Sequence, residues 1–428
     1  MKAETQKILI LSYYWPPSGG SGVQRWMYFA KYLKVLGWEP IVVTVNETKA
    51  SYPVLDPSLQ QEVEGIRTLK TNTTEPLRWY ARLTSDKKTP SFPQGEVKRE
   101  RITEKLAAFI RGNFFIPDAR KGWGPHALKA AKKVILQEGI TKVITTGPPH
   151  STHLVGLHLK KELGIKWWAD FRDPWTDIFY NTFLYRTAYA RKKDQTLEKE
   201  VLQQADGILT TLAGEFHEKL QTKAPHQQFV ALPNGFDETL MKNTPAAPKK
   251  AKFHIVFTGL LTQNQDFTSI VEAIHHVSKS HKIYFSLAGT IDPKIVSQLK
   301  TQLPKVAVDF RGYLSHAQAI ALMKSADVLL NFIFKGAETQ MISGKLLEYM
   351  ASEVPIISIG NPNSLSGQLL AQGSNSWMIA PEDKKEIEKK FTLLLNQKNT
   401  KNKLPQLNQW SRKAITQRLI EEVLLTSD

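Results

Sequence analysis

Residues 343–360 read Ser343-Gly344-Lys345-Leu346-Leu347-Glu348-Tyr349-Met350-Ala351-Ser352-Glu353-Val354-Pro355-Ile356-Ile357-Ser358-Ile359-Gly360, and their reading decides the fold. Leu346, Leu347, Met350 and Ala351 recur at three- and four-residue spacing, the apolar face of a helix. Val354 to Gly360 is a short apolar run bounded by glycine, a buried strand. Lys345 and Glu348, three apart, share the other helix face. Backbone N–H groups and the helix dipole attract phosphate at such a start. Lys345 adds a point charge, and a carboxylate one turn on can accept two hydroxyls. A solvated Lys/Glu pair on an amphipathic helix is the equal alternative.

The bulk properties narrow the class. At 428 residues, two or three domains are expected, and 41% hydrophobic content fits a soluble globular chain. No cysteine is present, which excludes disulfides, thiolate metal sites and a cysteine nucleophile. The start, Met1 to Lys7, has no signal-peptide apolar region, and no run reaches the roughly 18–20 apolar residues of a membrane span. The formal charge of +17 asks for an acidic partner: nucleic acid, an anionic membrane or phosphorylated substrates. Zinc-finger spacing, RNP-like motifs and an arginine-rich tail are all missing, so nucleic acid ranks last.

Working outward to the N-terminus, Lys7 to Tyr14 reads as a buried strand entering a loop, Trp15-Pro16-Pro17-Ser18-Gly19-Gly20-Ser21-Gly22-Val23. A helix over 24–36 and a strand over 39–45 complete a βαβ unit. The glycine-rich turn lies at a strand's carboxyl end, where open α/β sheets bind ligands. It is not a dinucleotide fingerprint, since Arg25 stands where a third glycine belongs, nor a Walker loop. Residues 46–125 are less regular. Within them, 102–116 mixes apolar residues with Lys105 and Arg111 and is flanked by Lys98, Arg99, Arg101, Arg120 and Lys121. A helix packed on the sheet is the preferred reading, a basic amphipathic segment on a membrane the other. Lys142 to Thr146 is a further strand, followed by Gly147-Pro148-Pro149-His150 and a helix to Leu163. His150 stands on a loop at a strand's carboxyl end, just before a helix N-terminus, where a polar residue is often part of the cap. A strand over 166–170 ends in Asp170-Phe171-Arg172-Asp173, a structural salt bridge or a pocket rim. A strand over 207–211 and a helix over 213–222 lead to Pro233-Asn234-Gly235, a turn by its own chemistry. Met241 to Lys252 has the composition of a linker.

A second alternation begins at Phe253: strand 253–258, loop 259–266, helix 267–278, strand 282–288, strand 306–311, helix 316–325, strand 326–330, then the opening helix. Residues 405–425 predict a final helix. Strands alternating with helices give two α/β domains.

Gly344 to Ser352 followed by Val354-Pro355-Ile356-Ile357 resembles the signature of GT-B glycosyltransferases, in particular the retaining family 4, group 1-like enzymes. Gly22-Val23-Gln24, Pro233-Asn234-Gly235-Phe236-Asp237 and Phe310 to His316 are similar to further family motifs and fall in the same order. The resemblance implies two Rossmann-like, doubly wound domains facing across a cleft. The first, acceptor-side domain would span 1–240, a linker 241–252, and the donor-side domain 253–404. Residues 405–428 would return to the first domain. It implies transfer of a sugar from a nucleotide-sugar to a glycan or lipid-linked acceptor, with retention, in cell-surface polysaccharide or glycoconjugate synthesis. Glu348 would hold the donor ribose, and His150, Lys345 and Glu348 form the catalytic set. Donor contacts are expected from Gly20, Ser21, Gly22, Gly259, Gln263, Gly312, Tyr313, Gln340, Gly344 and Leu347, and acceptor-side ones from Asp170, Arg172 and Asp173. The nucleotide-sugar is a substrate, and no cofactor or metal is expected. The expected location is the cytoplasm, with peripheral contact to an anionic membrane.

The pattern departs from the family twice. Its paired glutamates lie eight residues apart, yet Gln340 stands at the first position, with Glu338 out of register. Gln263 and Gln265 stand where many members carry an arginine and a lysine for the diphosphate; Lys345 or Lys335 is the expected substitute. Two other classes stay open: a nucleotide-sugar epimerase on the same fold, which needs no acceptor, and a non-catalytic nucleotide-sugar-binding subunit.

Overall fold

The computed structural model describes residues 5–52, 54–75, 102–250, 252–335, 342, 344–397 and 400–426; the side chains at 21, 102–104, 179 and 180 lie outside the description. The chain divides into two units, Met1–Asn234 with Ile415–Asp428, and Gly235–Ala414. The division therefore falls at the Asn234–Gly235 turn. Residues 238–243, in part assigned to a linker above, form a helix capped by Asp237, whose carboxylate accepts the Leu240 N–H at 2.7 Å.

Among its described residues the first unit holds seven strands: β1 (Lys7–Leu11), β2 (Glu39–Val45), β3 (Arg67–Thr71), β4 (Lys142–Gly147), β5 (Lys166–Phe171), β6 (Gly207–Thr210) and β7 (Phe229–Ala231). They form one sheet in the order β3-β2-β1-β4-β5-β6-β7, every pairing parallel. Side chains alternate faces along a strand. Leu9, Leu11, Ile41 and Val43 thus join one core cluster, and Ile8, Ile10 and Val42 another on the opposite face. Both faces are buried under helices, which is why these strands read as continuous apolar runs. Ile415, Leu419, Val423 and Leu424 pack with Ile8 and Trp26, so the chain's end completes this unit's core. That end is a helix over Arg412–Leu419 loosening into a π-helical turn over Ile420–Leu424.

The second unit repeats the plan with β8 (Phe253–Thr258), β9 (Ile283–Ala288), β10 (Ala307–Gly312), β11 (Val328–Phe332), β12 (Ile356–Ile359) and β13 (Ser376–Ile379). Their order is β10-β9-β8-β11-β12-β13, again all parallel. In each sheet the order reverses once, between β1 and β4 in the first unit and between β8 and β11 in the second. At such a point neighbouring loops leave in opposite directions and open a crevice at the carboxyl ends of the strands. The helix Gly344–Ala351 follows β11 and stands at the second unit's reversal.

Candidate functional site

At the first unit's reversal point, Gly20 adopts φ +90°, a left-handed conformation suited to glycine, and the helix Ser21–Val35 starts directly after it. Gly20 and Gly22 thus lie at the carboxyl end of β1, while the Ser21 side chain is outside the description. Arg172 ties the loops together. Its guanidinium donates to the carbonyls of Gly22 and Pro148, and its Nε to Gly147 at 3.1 Å. Five rigid donors on one plane suit this bridging of separate backbone segments. Arg172 therefore shapes the rim of the crevice instead of standing free in it. Burial raises the pKa of its neighbour Asp173, against the opposing pull of Arg172.

Asp170 is enclosed by protein. Fully buried, it accepts from Arg25 Nη2 at 2.8 Å, Trp26 Nε1 at 2.6 Å and Thr146 Oγ1 at 2.8 Å. The expected acceptor-side role fails for its carboxylate, because buried donors already occupy both oxygens. Arg25, not singled out by sequence, is equally buried, and its other arm donates to the Leu232 carbonyl at 2.6 Å. The pair thus fastens the first helix to the segment before the Pro233-Asn234-Gly235 turn.

His150 precedes the helix Ser151–Leu163 but does not cap it. Asp118 does, accepting from the Ser151 N–H at 2.8 Å and from its hydroxyl at 2.9 Å. The buried His150 ring stacks on Trp175 with centroids 5.0 Å apart. Among the described residues neither of its nitrogens makes a hydrogen bond of ordinary geometry, although the Pro174 carbonyl is close enough to favour its protonation slightly. Burial first, then His153 and Arg172, hold its pKa well below the usual histidine value. His153, pushed down to about 3 by burial and then by Arg172, lies beside it. A side chain on Gly147 would strike both rings, so that glycine makes room for two neutral imidazoles. Sequence also gave no sign of the buried cluster in which Glu75 accepts from the Tyr13 hydroxyl and from Arg120 Nη1, the latter at 3.1 Å.

In the second unit, Gly259, Gly289 and Gly312 end β8, β9 and β10 with φ of +116°, +113° and +62°. They are laced together: Gly259 N–H donates to Ala288 at 2.8 Å and Gly289 N–H to Gly312 at 2.7 Å. A Cβ on Gly289 would collide with the Gly259 carbonyl. Tyr313, next to Gly312, is exposed. Lys345 lies over this rim. Its Nζ stands 4.4 Å from the Phe257 ring centroid, and a Cβ on Gly259 would be 3.7 Å from it. The residue is half-buried, yet protein surrounds the amine closely enough for burial alone to bring its pKa to about 7. No carboxylate among the described residues offsets that burial.

Glu348 sits one turn on, its Oε1 accepting from His316 Nε2 at 2.7 Å and Arg412 Nη2 at 3.4 Å. Burial acts to raise its pKa, but the charge and hydrogen bond of His316, backed by Arg412, outweigh it and hold the group ionised. Among the described residues Oε2 accepts nothing, which leaves that oxygen for a ligand. Arg412 was not expected at the site, and His316 only as the end of the Phe310 to His316 motif, since both reach Glu348 from elsewhere in the chain. Leu347 is core: its side chain is buried with Leu346 and Met350, so any contact it makes to a ligand must be through its backbone. Gly344 opens the helix.

The two glutamines part company. Gln263 is exposed at the loop surface. Gln265 is buried, donating to the Phe332 carbonyl at 3.1 Å and accepting from the Thr262 N–H at 2.9 Å, so it holds the loop's shape. Lys335 pairs with Asp266 at 2.6 Å on the surface. Gln340 and Glu338 lie outside the described residues. Among the described residues no cluster of three His, Asp or Glu side chains could hold a metal ion.

Residues 252–397 match the family described as glycosyl transferases group 1. No curated protein is similar enough in sequence to match the chain. Among solved structures, HepE of Anabaena in complex with UDP is 12% identical, with TM-score 0.61, over 98% of this chain and 100% of that one. Sucrose-phosphate synthase from Thermosynechococcus elongatus is 15% identical, with TM-score 0.57, over 98% and 96%. A putative UDP-N-acetylglucosamine 2-epimerase from Listeria monocytogenes is 10% identical, with TM-score 0.53, over 99% and 98%. The likeness to these structures is one of fold.

Proposed function

We propose that this chain, a GT-B-fold glycosyltransferase whose second unit carries the group 1 domain, transfers a sugar from a nucleoside diphosphate donor to a glycan or lipid-linked acceptor with retention of configuration. The reading places it in cell-surface polysaccharide or glycoconjugate synthesis, in the cytoplasm at the face of a membrane. One observation carries it. Lys345 is half-buried, its amine closely surrounded by protein with no counter-charge among the described residues, and it lies over the glycine-lined strand ends of the group 1 domain, one helical turn from an ionised carboxylate. A diphosphate supplies the missing negative charge, and a ribose supplies hydroxyls to Glu348 Oε2. HepE, of similar fold, has been solved in complex with UDP and with UDP-glucose, which makes a uridine donor the first to try.

In the step proposed, the bond from the sugar's anomeric carbon to the diphosphate oxygen breaks. An acceptor hydroxyl bonds to that carbon from the same face and passes its proton to the departing phosphate. Catalysis then consists of holding the leaving group and offsetting its growing charge. Lys345 and the helix N-terminus provide that charge without a metal ion. Transfer is therefore expected to persist in EDTA. Activity abolished by EDTA and restored by magnesium or manganese would refute this part, since a divalent ion is the usual alternative source of charge. NMR of the product's anomeric proton tests retention.

Glu348→Ala is expected to weaken nucleotide binding by about 1.5–3 kcal/mol, the range for a hydrogen bond to a charged group. Calorimetric titration of a folded variant measures it, and unchanged affinity would remove Glu348 from the ribose. Incubating the protein with donor alone distinguishes transfer from epimerisation, which would invert a sugar carbon with no acceptor present.

A further inference from the structure

The helix Ile102–Phe114 is built inside out. On a surface helix the large apolar residues face the core and the polar ones water. Here the inward face carries small residues. Ala108 is buried, and a Cβ on Gly112 would collide with the Leu184 carbonyl, so the backbone itself packs tightly there. Leu106, Phe109, Ile110 and Phe114, at three- and four-residue spacing, face the other way and are 58%, 37%, 39% and 66% exposed. The expectation of an ordinary helix burying its apolar face on the sheet is therefore not met.

The surface continues beyond the helix. Asn113 Nδ2 donates to the Tyr185 carbonyl at 3.2 Å, and its Oδ1 accepts from the Thr187 N–H at 2.8 Å, which fixes the start of the helix Ala188–Gln204 alongside. Tyr185 and Tyr189 are exposed there. Lys121 Nζ donates to the Phe114 carbonyl at 2.7 Å. Its pKa is lowered by burial and then by the charge of Lys193, which is exposed on the helix Ala188–Gln204. Arg191 and Lys192 are exposed beside them, in a chain of formal charge +17.

We propose that this face of the first unit docks on an anionic lipid bilayer, with the apolar stripe entering the headgroup boundary and the cations pairing with lipid charge. Contiguous exposed apolar side chains mark an interaction surface. The combination with aromatic residues and a basic rim fits a membrane interface, where both contributions act together. The inference rests on the proposed function for its purpose, bringing the enzyme to a lipid-borne acceptor, but its test needs no catalysis.

Co-sedimentation with vesicles of phosphatidylcholine containing roughly one-third phosphatidylglycerol is the experiment, at low salt and with full-length protein. The wild type is expected to pellet with these vesicles and not with pure phosphatidylcholine. Raising salt from about 0.1 M to 1 M, which shortens screening from about 10 Å to about 3 Å, is expected to weaken binding. The variant Leu106→Asp with Phe114→Asp, whose melting temperature should be unchanged because both side chains are exposed, is expected to lose about tenfold or more of its partitioning. Reversing Lys192 and Lys193 to glutamate is expected to do likewise. A wild type that ignores anionic vesicles overturns the proposal, as do variants that bind them equally well. Binding of duplex DNA in place of vesicles, or a dimer that the Asp variant dissociates while vesicle binding persists, would assign the face to those partners instead. If vesicles bind but no nucleotide does, the docking face stands and the transferase reading falls.

Discussion

Lys345→Met is expected to lose transfer activity by about 10²–10³-fold, the cost of removing one preorganised group that meets charge developing in the transition state. The same change is expected to stabilise the fold, because methionine fills a similar volume over Phe257 without an amine to desolvate. Opposite signs on activity and stability separate a ligand-binding lysine from a structural one. The pH dependence follows from the pKa of about 7. Between about pH 7 and the unperturbed lysine value of about 10.4, the unfolded chain holds a proton that the folded chain has lost, so this group makes stability rise with pH there. That rise should vanish in Lys345→Met. Donor affinity should run the other way. A diphosphate favours the charged amine, so affinity falls as pH rises above 7, and binding takes up a proton in buffers of that range. An active Lys345→Met enzyme would show that another cation offsets the leaving group.

The second large effect belongs to stability. Asp170→Ala is expected to cost about 3–5 kcal/mol in denaturant unfolding, because it strands Arg25 as a buried charge without its partner. Trp26 Nε1 and Thr146 Oγ1 lose their acceptor as well. Replacing both partners, Arg25→Met with Asp170→Leu, is expected to recover much of that loss, since an apolar pair leaves no charge buried. If Asp170→Ala unfolded like wild type but lost acceptor binding, the structural assignment of Asp170 would be wrong.

Much of this was legible in the sequence because it depends on local chemistry. The apolar strands of the two sheets, the glycines at 259 and 312, and the helix bearing Lys345 and Glu348 declare themselves through runs, spacing and turn residues. β3 did not, because an edge strand reading Arg67-Thr68-Leu69-Lys70-Thr71 is largely polar and lacks the buried run. Asp170 and Arg172 were read alike, as charges at a strand's end. Which way each points is set by partners far off in sequence: Arg25 and Trp26 for one, three backbone carbonyls for the other. Backbone carbonyls leave no trace in a sequence at all. The same holds for His316 and Arg412, whose meeting at Glu348 is a product of folding. Helix Ile102–Phe114 shows the reverse case. Its periodicity predicted an amphipathic helix correctly, while only Gly112 hinted at which face would turn inward.

The central claim is that the second unit binds a nucleoside diphosphate sugar through Lys345 and Glu348. Calorimetric titration of the full-length protein in EDTA, with UDP, UDP-glucose and the corresponding adenosine and guanosine compounds, tests it most directly. The account predicts saturable one-site binding of at least one of them, with proton uptake above pH 7. It also predicts weaker binding by both Lys345→Met and Glu348→Ala. Folded wild-type protein that binds none of these nucleotides, or binds one with affinity unchanged in both variants, would contradict it.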